Sequence, residues 1–116
     1  MEILIIIQES PYGSERPYQA LRMADALLKL EDDLDLTVYL TADGVQCAKK
    51  GQITPTGYYN IERMLKPVLN RGMVIACRMC TEARGLGEHD LMEGTRLVRL
   101  AEGANLVLEA DKVLTY

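Results

Sequence analysis

Apolar and polar positions fall into blocks along the chain. Ile3-Leu4-Ile5-Ile6-Ile7 is unbroken and β-branched, and polar and turn-forming residues from Gln8 to Ser14 close it. Continuous apolarity without alternation predicts a central strand covered on both faces. From Pro17 to Leu30 the apolar positions Ala20, Leu21, Ala24, Leu27 and Leu28 recur at helical spacing. Pro17 fits a first turn, and Asp25 and Lys29 form an i,i+4 pair, so this segment predicts a helix. The acidic turn Glu31-Asp32-Asp33 leads into a second strand, Leu36 to Leu40, which ends at Thr41 to Gly44. A short helix over Asp43–Lys50 contains Cys47, and Gly51–Tyr59, with Pro55 and Gly57, is a loop.

Asn60 is an N-cap for a helix through Asn70, with Ile61, Met64, Leu65 and Val68 on one face. Pro67 removes an interior hydrogen bond and is expected to bend or shorten that helix. Gly72 ends it, Met73–Ala76 forms a third strand, and a cysteine pair follows at once. Beyond lie a helical turn over Thr81–Arg84, a strand near Thr95–Val98, a helix from Arg99 to Ala110, and a strand over Lys112–Thr115. In the last helix Leu100, Ala101, Ala104, Val107 and Leu108 are expected to form the buried stripe, and Gly103 to weaken it by about 1 kcal/mol.

Strands alternating with helices predict one α/β domain over residues 1–116. Its sheet should be mostly parallel, with right-handed crossovers and helices on both sides, a three-layer α/β/α arrangement. Chemistry in such sheets collects at the carboxyl ends of the strands. Three loops leave those ends: Gln8–Ser14, Asp43–Val45 and Cys77–Cys80.

Composition narrows the partners. Hydrophobic residues make up 48% and charged ones 26% of 116 residues, enough for a packed core without disulfides or metal. The longest apolar runs have five residues, against the roughly 20 that a membrane-spanning helix needs. The net charge of -4 disfavours nucleic acid, which is bound by clustered cations. Glu2 precedes an apolar stretch too short for a secretory signal, so a cytoplasmic protein is expected.

The candidate chemistry lies in Cys77-Arg78-Met79-Cys80, two of the three cysteines. A thiol at a helix N-terminus beside cations is stabilised as its anion. Cys77 leaves a strand, precedes a helical turn, and has Arg78 adjacent and Arg84 further on. Cys80 stands close enough in sequence to resolve a sulfur adduct. Three other readings stand beside this one. The pair can be packed thiols, a thioredoxin-like redox pair, or part of a zinc site completed by Cys47 and His89. His89, the sole histidine, sits in a polar turn with Glu88 and Asp90, and Cys47 reads as a packing residue. Pro11-Tyr12-Gly13-Ser14 can wall a site with amides and hydroxyls but lacks the glycine spacing of a P-loop or dinucleotide fingerprint, and no cofactor is expected.

Four segments, in this order, resemble the DsrE/DsrF-like family and in particular its small YchN-like branch. They are Ser10-Pro11-Tyr12-Gly13-Ser14-Glu15, Gly57-Tyr58-Tyr59-Asn60-Ile61, Cys77-x-x-Cys80-Thr81-Glu82-Ala83-Arg84-Gly85, and Ala110-Asp111-Lys112-Val113-Leu114. The resemblance implies a flavodoxin-reminiscent domain with a parallel five-stranded sheet, assembled into homotrimers or homohexamers. It further implies sulfur relay between donor and acceptor proteins, with sulfane sulfur held as a persulfide on Cys77 and an Arg-Gly pair, here Arg84-Gly85, following. Cys80 departs from the sulfur-relay members and would act as a resolving or auxiliary thiol. Arg78, Arg84, Tyr12, Gly13, Ser14 and Asp43 are the expected substrate-binding residues. The alternatives are a non-catalytic oligomeric binding or regulatory module, or a zinc-binding protein using Cys47, Cys77, Cys80 and His89.

Overall fold

The computed structural model describes residues 1–56 and 58–116; Gly57, counted above in a loop and in one family-like segment, lies outside the described residues. The elements follow one another as β1 (Glu2–Ile7), α1 (Arg16–Leu30), β2 (Asp35–Leu40), a 3-10 stretch (Ala42–Ala48), α2 (Ile61–Arg71), β3 (Met73–Cys77), α3 (Arg78–Ala83), a 3-10 turn (Glu88–Asp90), β4 (Arg96–Val98), α4 (Leu100–Glu109) and β5 (Lys112–Thr115). The five strands form one sheet in the order β4-β3-β2-β1-β5, and every adjacent pair is parallel.

Strand order and crossover handedness together decide which helix covers which face. The chain steps from β1 to β2 to β3 in one direction across the sheet, so right-handed crossovers put α1 and α2 on the same side. They pack against each other there. The step from β4 to β5 runs back across the whole sheet and carries α4 to the opposite side.

The first face is the filled one. Ile3, Ile5 and Ile7 of β1, Leu36, Val38 and Leu40 of β2, and Val74 and Ala76 of β3 are all buried, beneath Ala20, Leu21, Ala24 and Leu28 of α1 and Ile61, Leu65 and Val68 of α2. The Asn60 side chain accepts the Arg63 N–H at 3.0 Å, as its cap position requires. Pro67 neither shortens α2 nor ends it, since the helix continues to Arg71. The carbonyl deprived of a donor belongs to Arg63, an exposed residue, where water can replace the missing bond.

Among the described residues the second face is covered by α4 alone, and here the buried stripe expected from the sequence is wrong. Leu100 is 73% and Leu108 84% exposed, Val107 is also exposed, and so are Ala101 and Ala104. The line turned inward is Gly103, Leu106 and Ala110. Gly103 does not sit in α4 merely as a weak helix former: a Cβ there would lie 2.4–2.6 Å from the ring and hydroxyl of Tyr39. The close approach of helix to sheet selects glycine and sets the helix's rotation, and the apolar stripe consequently points away from the chain's own core.

Candidate functional site

Cys77 is both the last residue of β3 and the N-cap of α3, which begins at Arg78 and not at Thr81 as expected. Its sulfur accepts the Cys80 backbone N–H at 3.5 Å, and its carbonyl accepts the Thr81 hydroxyl at 2.8 Å. Thr81 is fully buried, so this turn is anchored from below. Helix α3 ends at the Arg84-Gly85 pair. Gly85 takes a φ of 69°, its N–H reaches the Glu82 carbonyl at 3.0 Å, and the Leu86 N–H reaches the Thr81 carbonyl at 3.1 Å. This pair of reversed bonds is how a left-handed glycine closes a helix.

Cys77 opens on a cavity of about 1010 Å³. Its floor is the second sheet face: Ile6 pairs with Tyr39, and Tyr39 pairs with Ile75. By strand alternation the side chains of Ile6, Tyr39 and Cys77 therefore share one side. Arg78, Met79 and Cys80 of α3 form one wall, and the outward stripe of α4, from Leu100 to Leu108, forms the other. The cavity is predominantly apolar, with Arg78 and Arg99 contributing the cationic groups along it.

The expected site residues divide between this cavity and other places. Cys77, Arg78 and Cys80 meet there. Arg84 does not line it: its Nη1 donates to the Cys80 carbonyl at 2.9 Å and its Nε to the Asp43 carboxylate at 2.8 Å. Arg84 and Asp43 thus lash α3 to the segment following β2. Tyr12 is a strut, donating to Gln52 Oε1 at 2.5 Å and accepting the Ile61 N–H at 3.1 Å. The Ser14 hydroxyl accepts the Arg16 N–H at 3.2 Å at the start of α1. Gly13 and Asp43 border a separate recess of about 440 Å³ at the ends of β1 and β5. Tyr12, Gly13 and Ser14 therefore stand apart from the cysteine cavity, because the loop after β1 turns toward α1 and α2.

The proposed zinc set is not assembled. Among the described residues no three His, Cys, Asp or Glu side chains converge to hold an ion. Cys47 is wholly buried, and its thiol points at the Glu9 carbonyl 3.7 Å away. Burial pushes that thiol up to about 12. His89 is exposed, with Asp90 as its neighbour at 3.6 Å.

The electrostatics of Cys77 differ from the sequence expectation. Burial raises its pKa above the ordinary thiol value, and the amides of Cys80 and Met79 pull the other way without prevailing. The residue is 8% exposed, so desolvation of the anion outweighs two backbone dipoles. Tyr39 also titrates above the ordinary phenol value, first through burial and then through the negative charge of Cys77 and Cys80. Tyr39 and the outer face of α4 are the parts of this site that sequence reasoning missed. The helical spacing of the stripe was visible, but its direction was not, and Tyr39 looked like any aromatic in a strand.

The DsrE/DsrF-like family model matches residues 1–116. The chain is 38% identical over 116 residues to Protein YchN of Escherichia coli, covering 99% of this chain and 98% of that one. It is 39% identical over 117 residues to the uncharacterized protein MJ0989 of Methanocaldococcus jannaschii, covering 100% of both. The crystal structure of the E. coli YchN protein superposes with a TM-score of 0.94, at 38% identity over 100% of this chain and 99% of that one. A protein of unknown function from Methanobacterium thermoautotrophicum, MTH1491, shares the fold at a TM-score of 0.81 and 14% identity, covering 99% of this chain and 98% of that one.

Proposed function

The chain belongs to the DsrE/DsrF-like family, and from that membership and the geometry around Cys77 we propose that it is a cytoplasmic, homo-oligomeric sulfur carrier. Cys77 holds sulfane sulfur as a persulfide, and donor and acceptor proteins reach it through the cavity. The observation that carries this reading is a thiol at a strand's carboxyl end, only 8% exposed yet lining a cavity of about 1010 Å³. Cys47, by contrast, is wholly buried with its thiol against the Glu9 carbonyl.

In the loading step the Cys77 thiolate attacks the outer sulfur of a donor persulfide, R–S–SH. A bond forms between Cys77 Sγ and that sulfur, the donor S–S bond breaks, and the donor leaves as a thiolate with the electron pair. Cys77 Sγ rises from oxidation state −2 to −1 as the donor's inner sulfur falls from −1 to −2, and the transferred sulfur is unchanged, so no outside oxidant is needed. Because burial favours the thiol, the proton of Cys77 must first pass to solvent at the cavity mouth. An acceptor thiolate reverses the step. Cys80, whose N–H already contacts Cys77 Sγ, can attack the inner sulfur instead, giving a Cys77–Cys80 disulfide and hydrosulfide. This makes it the resolving thiol.

Self-association is part of the same reading. A parallel sheet is ordinarily covered on both faces, and here one face carries a single helix whose outer side presents Leu100, Val107 and Leu108 to solvent. A second copy, in a trimer or hexamer, is the expected cover. That exposed stripe also favours a second reading, an oligomeric binding module without sulfur transfer.

The test is to incubate reduced protein with a cysteine desulfurase and cysteine and to map added mass by peptide. One extra sulfur on the Cys77 peptide, lost in Cys77→Ser, is expected. No addition beside a working control acceptor rejects the carrier reading, and a Cys77→Ser variant that keeps every partner interaction favours the module.

A further inference from the structure

Tyr39 is 4% exposed, and among the described residues its hydroxyl has no hydrogen-bond partner. A buried hydroxyl without a partner is a liability that phenylalanine, with the same ring, would avoid. Here α4 is shaped around it: Gly103 leaves room for the ring and hydroxyl, which a Cβ would approach to 2.4–2.6 Å. The phenol stands on the strand beside Cys77, on the same side of the sheet, and both line one cavity.

The Cys77 sulfur already has a donor in the Cys80 N–H. A persulfide adds a second sulfur about 2.05 Å further out, and the negative charge moves to that outer atom.

Resting on the carrier reading, we infer that the Tyr39 hydroxyl is the hydrogen-bond donor to the outer sulfur of a Cys77 persulfide, and so a further residue of the sulfur site. The unpartnered Tyr39 hydroxyl is then one half of a bond that cargo completes. The donor stabilises the outer sulfur as an anion and withholds it from water until an acceptor arrives. The other charged or titratable groups lining the cavity are Cys80, Arg78 and Glu82 of α3 and Arg99 of α4; Cys80 is serine in both proteins compared below, and the other three are unchanged.

Sodium tetrasulfide loads the thiol without a protein donor: the Cys77 thiolate takes one sulfur to become a persulfide anion, and trisulfide leaves. The parent is Cys80→Ser, which prevents discharge by the neighbouring thiol, and it is compared with Cys80→Ser/Tyr39→Phe. Loading is counted by mass, and the pH dependence of alkylation of the outer sulfur is followed. A charge-assisted hydrogen bond predicts that the alkylation midpoint rises by about one pH unit in the Phe variant, a tenfold change, with no loss of folding stability. An unchanged midpoint overturns the inference. Should the Phe variant not fold, the ring signals of isotope-labelled Tyr39 in the parent must shift on loading, and a silent ring overturns it equally. Loading by tetrasulfide but not by desulfurase removes the relay reading and leaves this contact standing; no loading by either removes both.

Discussion

Gly103 of α4 rests on the aromatic ring of Tyr39, with no room between them for a methyl group. That single contact decides how α4 is rotated, keeps the Tyr39 hydroxyl under the helix, and leaves the apolar stripe of α4 facing outward along the Cys77 cavity.

Gly103→Ala should therefore destabilise the protein although alanine is the better helix former by about 1 kcal/mol. Overpacking against a buried ring costs about 1–3 kcal/mol. Urea denaturation of the single variant and of Gly103→Ala/Tyr39→Leu, which removes the obstructing ring, should show strong non-additivity. Equal, additive effects would mean that the contact does not constrain the helix.

Leu108→Asp tests the outward stripe. Leu108 is 84% exposed on the single chain, so a charge there should leave the circular dichroism of the chain unchanged. Light scattering should show trimer or hexamer mass for the unmodified protein and a smaller species for the variant. A unmodified protein that is monomeric at micromolar concentration would refute self-association through α4.

Thiol burial predicts a defined alkaline response. Cys47 is held up to about 12, above its value in the unfolded chain, so the native state keeps a proton that the unfolded state has lost. Its contribution is complete below the ordinary thiol range, and stability should fall by about 1.4 kcal/mol per pH unit as pH rises from about 9 toward 12. Cys77 and Tyr39, also raised, act in the same sense. In Cys47→Ala the slope should flatten even though the starting stability is lower. Iodoacetamide mapping at pH 8 should leave Cys47 unmodified until denaturant is added.

Arg84→Ala removes two bonds at once, to Asp43 and to the Cys80 carbonyl. The Asp43 partner is largely exposed, so the global cost should be under about 1 kcal/mol. The local effect should be larger: Cys80 alkylation should accelerate in Arg84→Ala and also, more weakly, in Asp43→Ala. Unchanged rates in both would show that this pair does not hold α3.

The strands and their order along the chain were readable because a parallel strand buried on both faces is apolar without interruption, as in Ile3–Ile7. The position of Cys77 at a strand's end was readable because it stands where such a run stops. Its protonation was not, because sequence proximity to Arg78 and Arg84 says nothing of where the guanidinium groups point. Arg84 is engaged by Asp43 and a carbonyl, Arg78 is exposed, and desolvation dominates what remains. Tyr12, Gly13 and Ser14 follow β1 as closely as expected, yet their loop leans toward α2.

What the sequence determined by itself is what depends on neighbours along the chain: the alternation of strands and helices, the Asn60 cap, the Asp25–Lys29 pair and the meeting of two thiols around one turn. The tertiary structure alone decided direction. A helix of ten residues with apolar side chains on more than one side has no preferred inward face until something opposes it. In this fold the opposing group is Tyr39, brought under Gly103 by a crossover that spans the full sheet. Side-chain spacing fixes only periodicity, whereas the phase of a helix is settled by the atoms it packs against.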